Sequence, residues 1–153
     1  MGFGVGERCE PNGAVIMSKR QIPQMTTQEI VRNSDEFKNR GKEWEKIYVT
    51  LYNSLASNKY RIMRQNNTLF WYRLDAPKTA QLFIINADKP LQFLRNFKDY
   101  CKAMEAAGFQ QVYGITENPK MLEMLKHSGY PTTVEQLPNL PDGTPQYKGT
   151  VNV

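Results

Sequence analysis

Residues 82–130 switch twice between a strand-like and a helix-like hydrophobic period, and no other stretch limits the possible folds as tightly. Leu82-Phe83-Ile84-Ile85 is a continuous apolar run of strand length, suited to a strand buried on both faces. From Leu91 the apolar residues Leu91, Leu94, Phe97, Cys101 and Met104 recur at steps of three and four, so they form one helical stripe. Phe93 and Tyr100 fall off that stripe, which points them at a second element or a partner. Gly108 stands where a left-handed helix end wants no Cβ. Gln111-Val112-Tyr113-Gly114-Ile115 resumes a strand. Asn118-Pro119 then starts a helix, with Asn as the cap and Pro in the first turn; Met121, Leu122 and Leu125 are its apolar face and Gly129 closes it. Strand–helix–strand implies a crossover connection and a parallel strand pair.

The flanks add antiparallel structure. Thr26-Thr27-Gln28-Glu29 has capping-box spacing, predicting a helix over 27–38 that Gly41 interrupts. Trp44, Ile47, Tyr48, Leu51 and Leu55 trace a second amphipathic helix. Residues 60–64 and 68–74 read as a hairpin turned at Asn66-Asn67, a pair that tolerates positive φ. Alternation sends Phe70 and Tyr72 to one face, Trp71 and Arg73 to the other. Beyond Pro131, residues 132–137 read as a strand. Pro138, Pro141, Pro145 and Asp142-Gly143 punctuate a poorly periodic segment, and 146–153 is strand-like, suited to a sheet edge or another chain. Residues 1–25, with Gly2, Gly4, Gly6, Pro11, Gly13 and Pro23, read as an extended arm: a disordered terminus, or one that orders against a neighbouring subunit. Only Ala14-Val15-Ile16-Met17 breaks its lack of period. The fold class is α/β (α+β), a mixed central sheet with flanking helices, divided as arm 1–25, domain 26–137 and irregular tail 138–153.

At 153 residues the chain can bury one core without staples. No apolar run approaches the roughly 20 residues of a membrane span, and no secretory signal opens the sequence. Gly6 replaces the Ser or Thr that N-myristoylation after Met1-Gly2 requires. Two cysteines, Cys9 and Cys101, provide neither a zinc site nor a disulfide framework, which suits a reducing compartment such as the cytoplasm. The net charge of +5 permits an acidic partner without demanding one.

The order of elements resembles the GNAT superfamily of acyl-CoA-dependent N-acyltransferases over about residues 26–137. Many family members carry Asn at the end of a strand, then a small residue, Tyr, Gly and an aromatic at +3, +7, +11 and +12. Asn118, Met121, Leu125, Gly129 and Tyr130 stand at those offsets here. The family Tyr returns a proton to the departing thiolate; Leu125 cannot. The family's Gly-rich pyrophosphate turn corresponds to Asn86-Ala87-Asp88-Lys89-Pro90-Leu91-Gln92, which has no glycine. Pro90 removes an N–H donor, and Asp88 sets a carboxylate where a diphosphate would dock, offset in part by Lys89. Taken together, these departures imply a GNAT-like fold without catalysis or cofactor: a structural or interaction protein that also resembles small GNAT-like proteins encoded among the structural genes of tailed bacteriophages. Such a virion component would meet other protein subunits through its arm and tail. The alternative is an active N-acyltransferase using acetyl-CoA. The resemblance then implies Asn86, Lys89 and Gln92 at the cofactor, Glu117 as base beside Asn118, and an amine entering near Asn86 and Glu117.

Other candidates are weaker. His127, the only histidine, sits in the last turn of the Pro119 helix, where its charge suits the dipole, with no nucleophile beside it. Asp35, Glu43 and Glu45 read as a solvated face. The hairpin is basic, with Lys59, Arg61, Arg64, Arg73 and Lys78 against Asp75, and its interleaved aromatics match a nucleic-acid surface read by Arg61, Arg64 and Arg73. No metal-ligand spacing is present.

Overall fold

Ten elements follow one another in the structure, a computed structural model that describes residues 24–153. The arm up to residue 23, with Cys9 and the 14–17 run, lies outside the described residues. The order is α1 (Thr27–Asn33), α2 (Glu43–Ala56), β1 (Tyr60–Gln65), β2 (Thr68–Ala76), β3 (Thr79–Asn86), α3 (Pro90–Ala106), β4 (Gln111–Thr116), α4 (Pro119–Leu125), β5 (Thr132–Leu137) and β6 (Gln146–Asn152). The six strands form one sheet in the order β1-β2-β3-β4-β6-β5. Only β3 and β4 pair in parallel. α1 and α2 cover one face through Ile30, Val31, Leu51, Leu69 and Ile85; α3 and α4 cover the other around Phe70, Phe97, Val112 and Val151.

Local chemistry sets most of these boundaries. The capping box closes in both directions, Glu29 N–H to Thr26 Oγ1 at 3.1 Å and Thr26 N–H to Glu29 Oε1 at 2.9 Å. α1 nevertheless stops at Asn33, short of the expected residue 38. Ser34 Oγ donates back to the Val31 carbonyl at 2.8 Å, and the next N–H, of Asp35, leaves the helix to reach the Asn86 carbonyl at 2.8 Å. Asn66 takes φ 51° in the hairpin turn. Asn118 Oδ1 caps α4 by accepting the Lys120 N–H at 3.0 Å. α4 ends at Leu125, so His127 lies in the turn after the helix rather than in its last turn.

α3 buries a face turned from the expected one. Phe93, Asn96, Phe97, Tyr100, Cys101 and Met104 are buried, while Leu91 is 76% exposed. Phe93 and Tyr100 therefore belong to the core rather than to a partner surface. The aromatics of β2 explain the rotation: the Tyr100 ring stacks on Phe70 with centroids 4.5 Å apart, and Tyr72 meets Tyr100 edge-on at 5.9 Å. The alternation in β2 is as read, since Trp71 points to α2 and donates its Nε1–H to Ser54 Oγ at 3.0 Å. Burial pushes the Cys101 thiol up to about 12, leaving it inert. The Tyr100 hydroxyl is buried with no hydrogen-bond partner among the described residues, and burial also pushes its pKa upward. An unpaired buried hydroxyl is a net cost, so Tyr100→Phe is expected to raise stability by ~1 kcal/mol and Tm by about 2–4 °C. A urea or thermal titration reads this directly; a loss of stability would mean that the hydroxyl is bonded in solution.

The C-terminal strand forms where expected but not at an edge. β6 lies between β4 and β5, and β5 is the edge strand. Residues 146–152 are thus an interior part of the sheet, not a detached tail. β6 pairs antiparallel with both neighbours, and α4 packs close on its face: a Cβ on the buried Gly149 would stand 2.8 Å from Leu125 Cδ1 and 3.3 Å from Leu122 Cδ2. Glycine lets α4 lie directly on β6, and Tyr147 and Val151 complete the apolar face beneath it.

Candidate functional site

The parallel pair is short. β3 and β4 pair at Thr79–Gln111, Ala80–Val112 and Gln81–Tyr113, and no further. The next step brings Gly114 beside Leu82, so close that a Cβ would stand 3.1 Å from the Leu82 carbonyl oxygen. Beyond this apex the strands part, and among the described residues the facing backbone edges of residues 82–85 and 114–116 have no strand partner on that side. The gap is a slot of about 260 Å³. Its walls come from both faces of the sheet: Leu82, Ile84, Phe97, Val112 and Leu125 toward α3 and α4, and Glu36, Phe37, Ile47, Trp71, Phe83 and Ile115 toward α1 and α2. The slot therefore lies within the sheet and takes its walls from both faces.

Glu36 supplies the slot's carboxylate. The turn after α1 is pinned to the end of β3. Asp35 N–H donates to the Asn86 carbonyl, Asn86 N–H donates to Glu36 Oε1 at 3.1 Å, and Asn86 Nδ2 donates to Asp35 Oδ2 at 3.1 Å. Burial pushes the Glu36 carboxyl up to about 7, against the pull of the Asn86 N–H and of Arg40. A carboxyl poised there can accept a proton at neutral pH. Sequence reasoning passed over Glu36 because its role depends on a contact 50 residues away, which no local period reports.

The turn between β3 and α3 is built differently from its sequence reading. Asp88 Oδ2 accepts the Asn67 N–H at 2.9 Å and Asn96 Nδ2 at 2.8 Å, with Thr68 Oγ1 at 3.5 Å. Asn86 Oδ1 accepts the Asp88 N–H and the Thr68 hydroxyl, at 3.0 and 2.8 Å. Asn66 Nδ2 and Gln92 Nε2 both donate to Asn96 Oδ1. The Asp88 carboxylate is thus engaged by neighbouring donors and turned toward β2 and α3, rather than standing free where an anion would dock. Asn86 and Gln92, expected at a cofactor, are members of this knot. Lys89 is exposed at the N-cap of α3, and Pro90 takes the first helical position. Helix geometry leaves the Leu91 and Gln92 amides without intrahelical partners.

The remaining expected residues fall elsewhere. Glu117 is exposed in the β4–α4 turn and does not line the slot; Asn118 is the cap of α4. Leu125 is buried in the slot wall. Strand alternation sets Arg61 on the α3 face beside Tyr72, and Arg64 and Arg73 on the other. A groove at the start of β1 brings Arg61 and Arg73 near Lys59. Arg64 is apart, donating to the Met25 carbonyl, to the Asn66 carbonyl at 2.7 Å and to Asn67 Oδ1 at 3.2 Å. The three arginines thus do not make one continuous surface.

No family model and no curated protein matches this chain. Solved structures do. An acetyltransferase of the GNAT family from Desulfovibrio desulfuricans superposes with a TM-score of 0.60 at 11% identity, over 82% of this chain and 89% of that one. The aminoglycoside 6'-acetyltransferase type Ii gives 0.58 at 12% identity, over 82% and 86%. The ribosomal-protein-S18-alanine N-acetyltransferase of Escherichia coli gives 0.52 at 13%, over 87% and 93%. The fold is the GNAT fold. A Bacillus subtilis acetyltransferase in complex with CoA shares it with a TM-score of 0.50 at 10% identity, over 87% and 97%. At these identities the likeness establishes the GNAT architecture and leaves the activity to the site. Among the described residues no helix is long and apolar enough to cross a membrane.

Proposed function

We propose that this GNAT-fold chain is an acyl-CoA-dependent N-acyltransferase. The observation that carries the reading is the slot itself: two strands that part after three pairs, with a raised-pKa carboxylate on one side. The residues present fit an acyl-CoA. The free edges of residues 82–85 and 114–116 would hold its amide-bearing arm. The Leu91 and Gln92 amides and the Lys89 ammonium would face its phosphates, now that the Asp88 carboxylate is engaged elsewhere. When bound, acyl-CoA supplies an acyl group activated as a thioester, whose thiolate leaves without an obligatory proton, so Leu125 at the acid offset does not forbid turnover. Glu36 takes the role that the resemblance implied for Glu117: its carboxylate accepts a proton from an ammonium to leave a neutral amine. The apolar walls exclude water from that exchange.

Calorimetric titration of the full chain with CoA and acetyl-CoA tests the reading. Micromolar binding is expected, weakened at least tenfold by Gly114→Val, which fills the apex of the slot. No binding at millimolar ligand by the intact chain would overturn it. The buried Leu125 and the glycine-free turn favour a second reading, a GNAT-like docking subunit without turnover in a larger assembly such as a phage particle. CoA binding without acyl transfer to any amine would support it.

A further inference from the structure

The wall of the slot on the α1/α2 side has a composition that specifies its guest. It holds one carboxylate, Glu36, among Phe37, Ile47, Trp71, Phe83 and Ile115. Phe83 and Ile115 are 39% and 45% exposed, though each stands on an otherwise well-packed sheet. Trp71 and Phe83 form a continuous aromatic wall, with ring centroids 5.4 Å apart. Two cations stand beside this mouth, each with an acid near it: Arg40 pairs with Glu43 at 3.7 Å, and Lys148 stands cross-strand from Glu135. Arg40 lies over the Phe37 ring at 5.7 Å, and Lys148, cross-strand from Ile115, lies over the Tyr113 ring at 4.5 Å. The other carboxylates nearby stand outside the slot lining: Asp35 is committed to Asn86 and Lys38, Glu43 to Arg40, Asp75 to the Tyr113 hydroxyl, and Glu135 stands cross-strand from Lys148.

Resting on the acyltransferase reading above, we propose that the acceptor is a primary amine with a single positive charge on an aromatic or branched-aliphatic body. Its ammonium meets Glu36, and its body lies along Trp71, Phe83 and Ile115. One carboxylate in an apolar wall can satisfy one ammonium. A second or third positive charge on the same guest would find no second carboxylate in the wall and be buried unpaired. The proton then passes from the ammonium nitrogen to Glu36, giving a neutral amine and a neutral carboxylic acid. The exposed Phe83 and Ile115 side chains are accounted for as the platform for the acceptor's body.

Binding alone tests this, with the full chain and no acyl donor. Phenethylamine, isoamylamine, spermidine and the uncharged 2-phenylethanol are titrated in turn, followed by tryptophan fluorescence and calorimetry. Phenethylamine is expected to bind at least tenfold more tightly than spermidine. Glu36→Gln is expected to weaken phenethylamine at least tenfold while leaving 2-phenylethanol unchanged, which shows that the site is intact. Phe83→Ala is expected to weaken both. Spermidine binding as well as phenethylamine, or indifference of the amine to Glu36→Gln, overturns the inference. Parallel CoA titration separates the two readings: CoA bound with no amine bound sinks the acceptor assignment alone, whereas amine selectivity with no CoA bound supports the amine site and sinks the acyltransferase.

Discussion

Glu36→Gln is expected to stabilise the protein at pH 8 by ~2 kcal/mol, or a Tm rise of about 4–8 °C, and to leave it nearly unchanged at pH 4. Burial raises the carboxyl from 4.5 to about 7 in the folded chain, so the folded state holds its proton more tightly than the unfolded state does. Stability is therefore full below pH 4.5, declines as pH rises and levels off above about 7. At face value that span is worth ~3 kcal/mol; residual solvent contact reduces it to ~2. The charged neighbours that face Glu36 are Asp35, which adds to the rise, and Arg40, which opposes it. Gln carries no charge at any pH, and its Oε1 can still accept the Asn86 N–H. Thermal melts of both proteins from pH 4 to 8 should diverge across this window. Parallel curves would mean that Glu36 titrates normally and is not a poised base. If acyl transfer is confirmed, the same variant should lose about 10²–10⁴ in kcat/KM, the range for a removed general base. A residue that lowers stability at neutral pH yet is required for turnover is the usual signature of a functional site.

Asp88→Ala is expected to cost ~3 kcal/mol of stability, more than most single changes outside an apolar core. The carboxylate accepts from the Asn67 N–H and Asn96 Nδ2, and Asn96 is fully buried. Alanine would remove a charged acceptor from a site too enclosed for free hydration, with Asn96 Nδ2 keeping only its bond to Thr68 Oγ1 at 2.9 Å, and a charged acceptor is worth more than a neutral one. Asp88→Asn, which retains one oxygen, should cost about half as much. The double change Asp88→Ala with Asn96→Ala should cost less than the sum of the single ones by ~1 kcal/mol, because the two residues belong to one network. Denaturant midpoints for the four proteins measure this. Additive costs would show that the knot around the α3 N-terminus is not a cooperative unit.

These two carboxylates mark what was legible in the linear chain. The amino-acid pattern alone determined the elements and their order, because strand and helix periods, the Thr26 capping box, the Asn66-Asn67 turn and the Asn118-Pro119 start are local signals, each complete within a few residues. The element order and the Asn118-to-Tyr130 frame also sufficed to indicate the GNAT fold later matched by solved structures. What escaped was set by contacts between distant segments. Helix α3 buries Phe93 and Tyr100 rather than Leu91 because β2 presents Phe70 and Tyr72 to it. β6 lies inside the sheet because it pairs with both β4 and β5, and Gly149 admits α4 onto its face. Asp88, read as an obstacle to a diphosphate, is turned away by donors in the β1–β2 turn and on α3; Glu36, which no local pattern singles out, becomes the slot's carboxylate because the turn after α1 hydrogen-bonds to the end of β3. A side chain's period depends on its own helix or strand, whereas its charge state and partners depend on what the fold brings against it, and that was decided only in three dimensions.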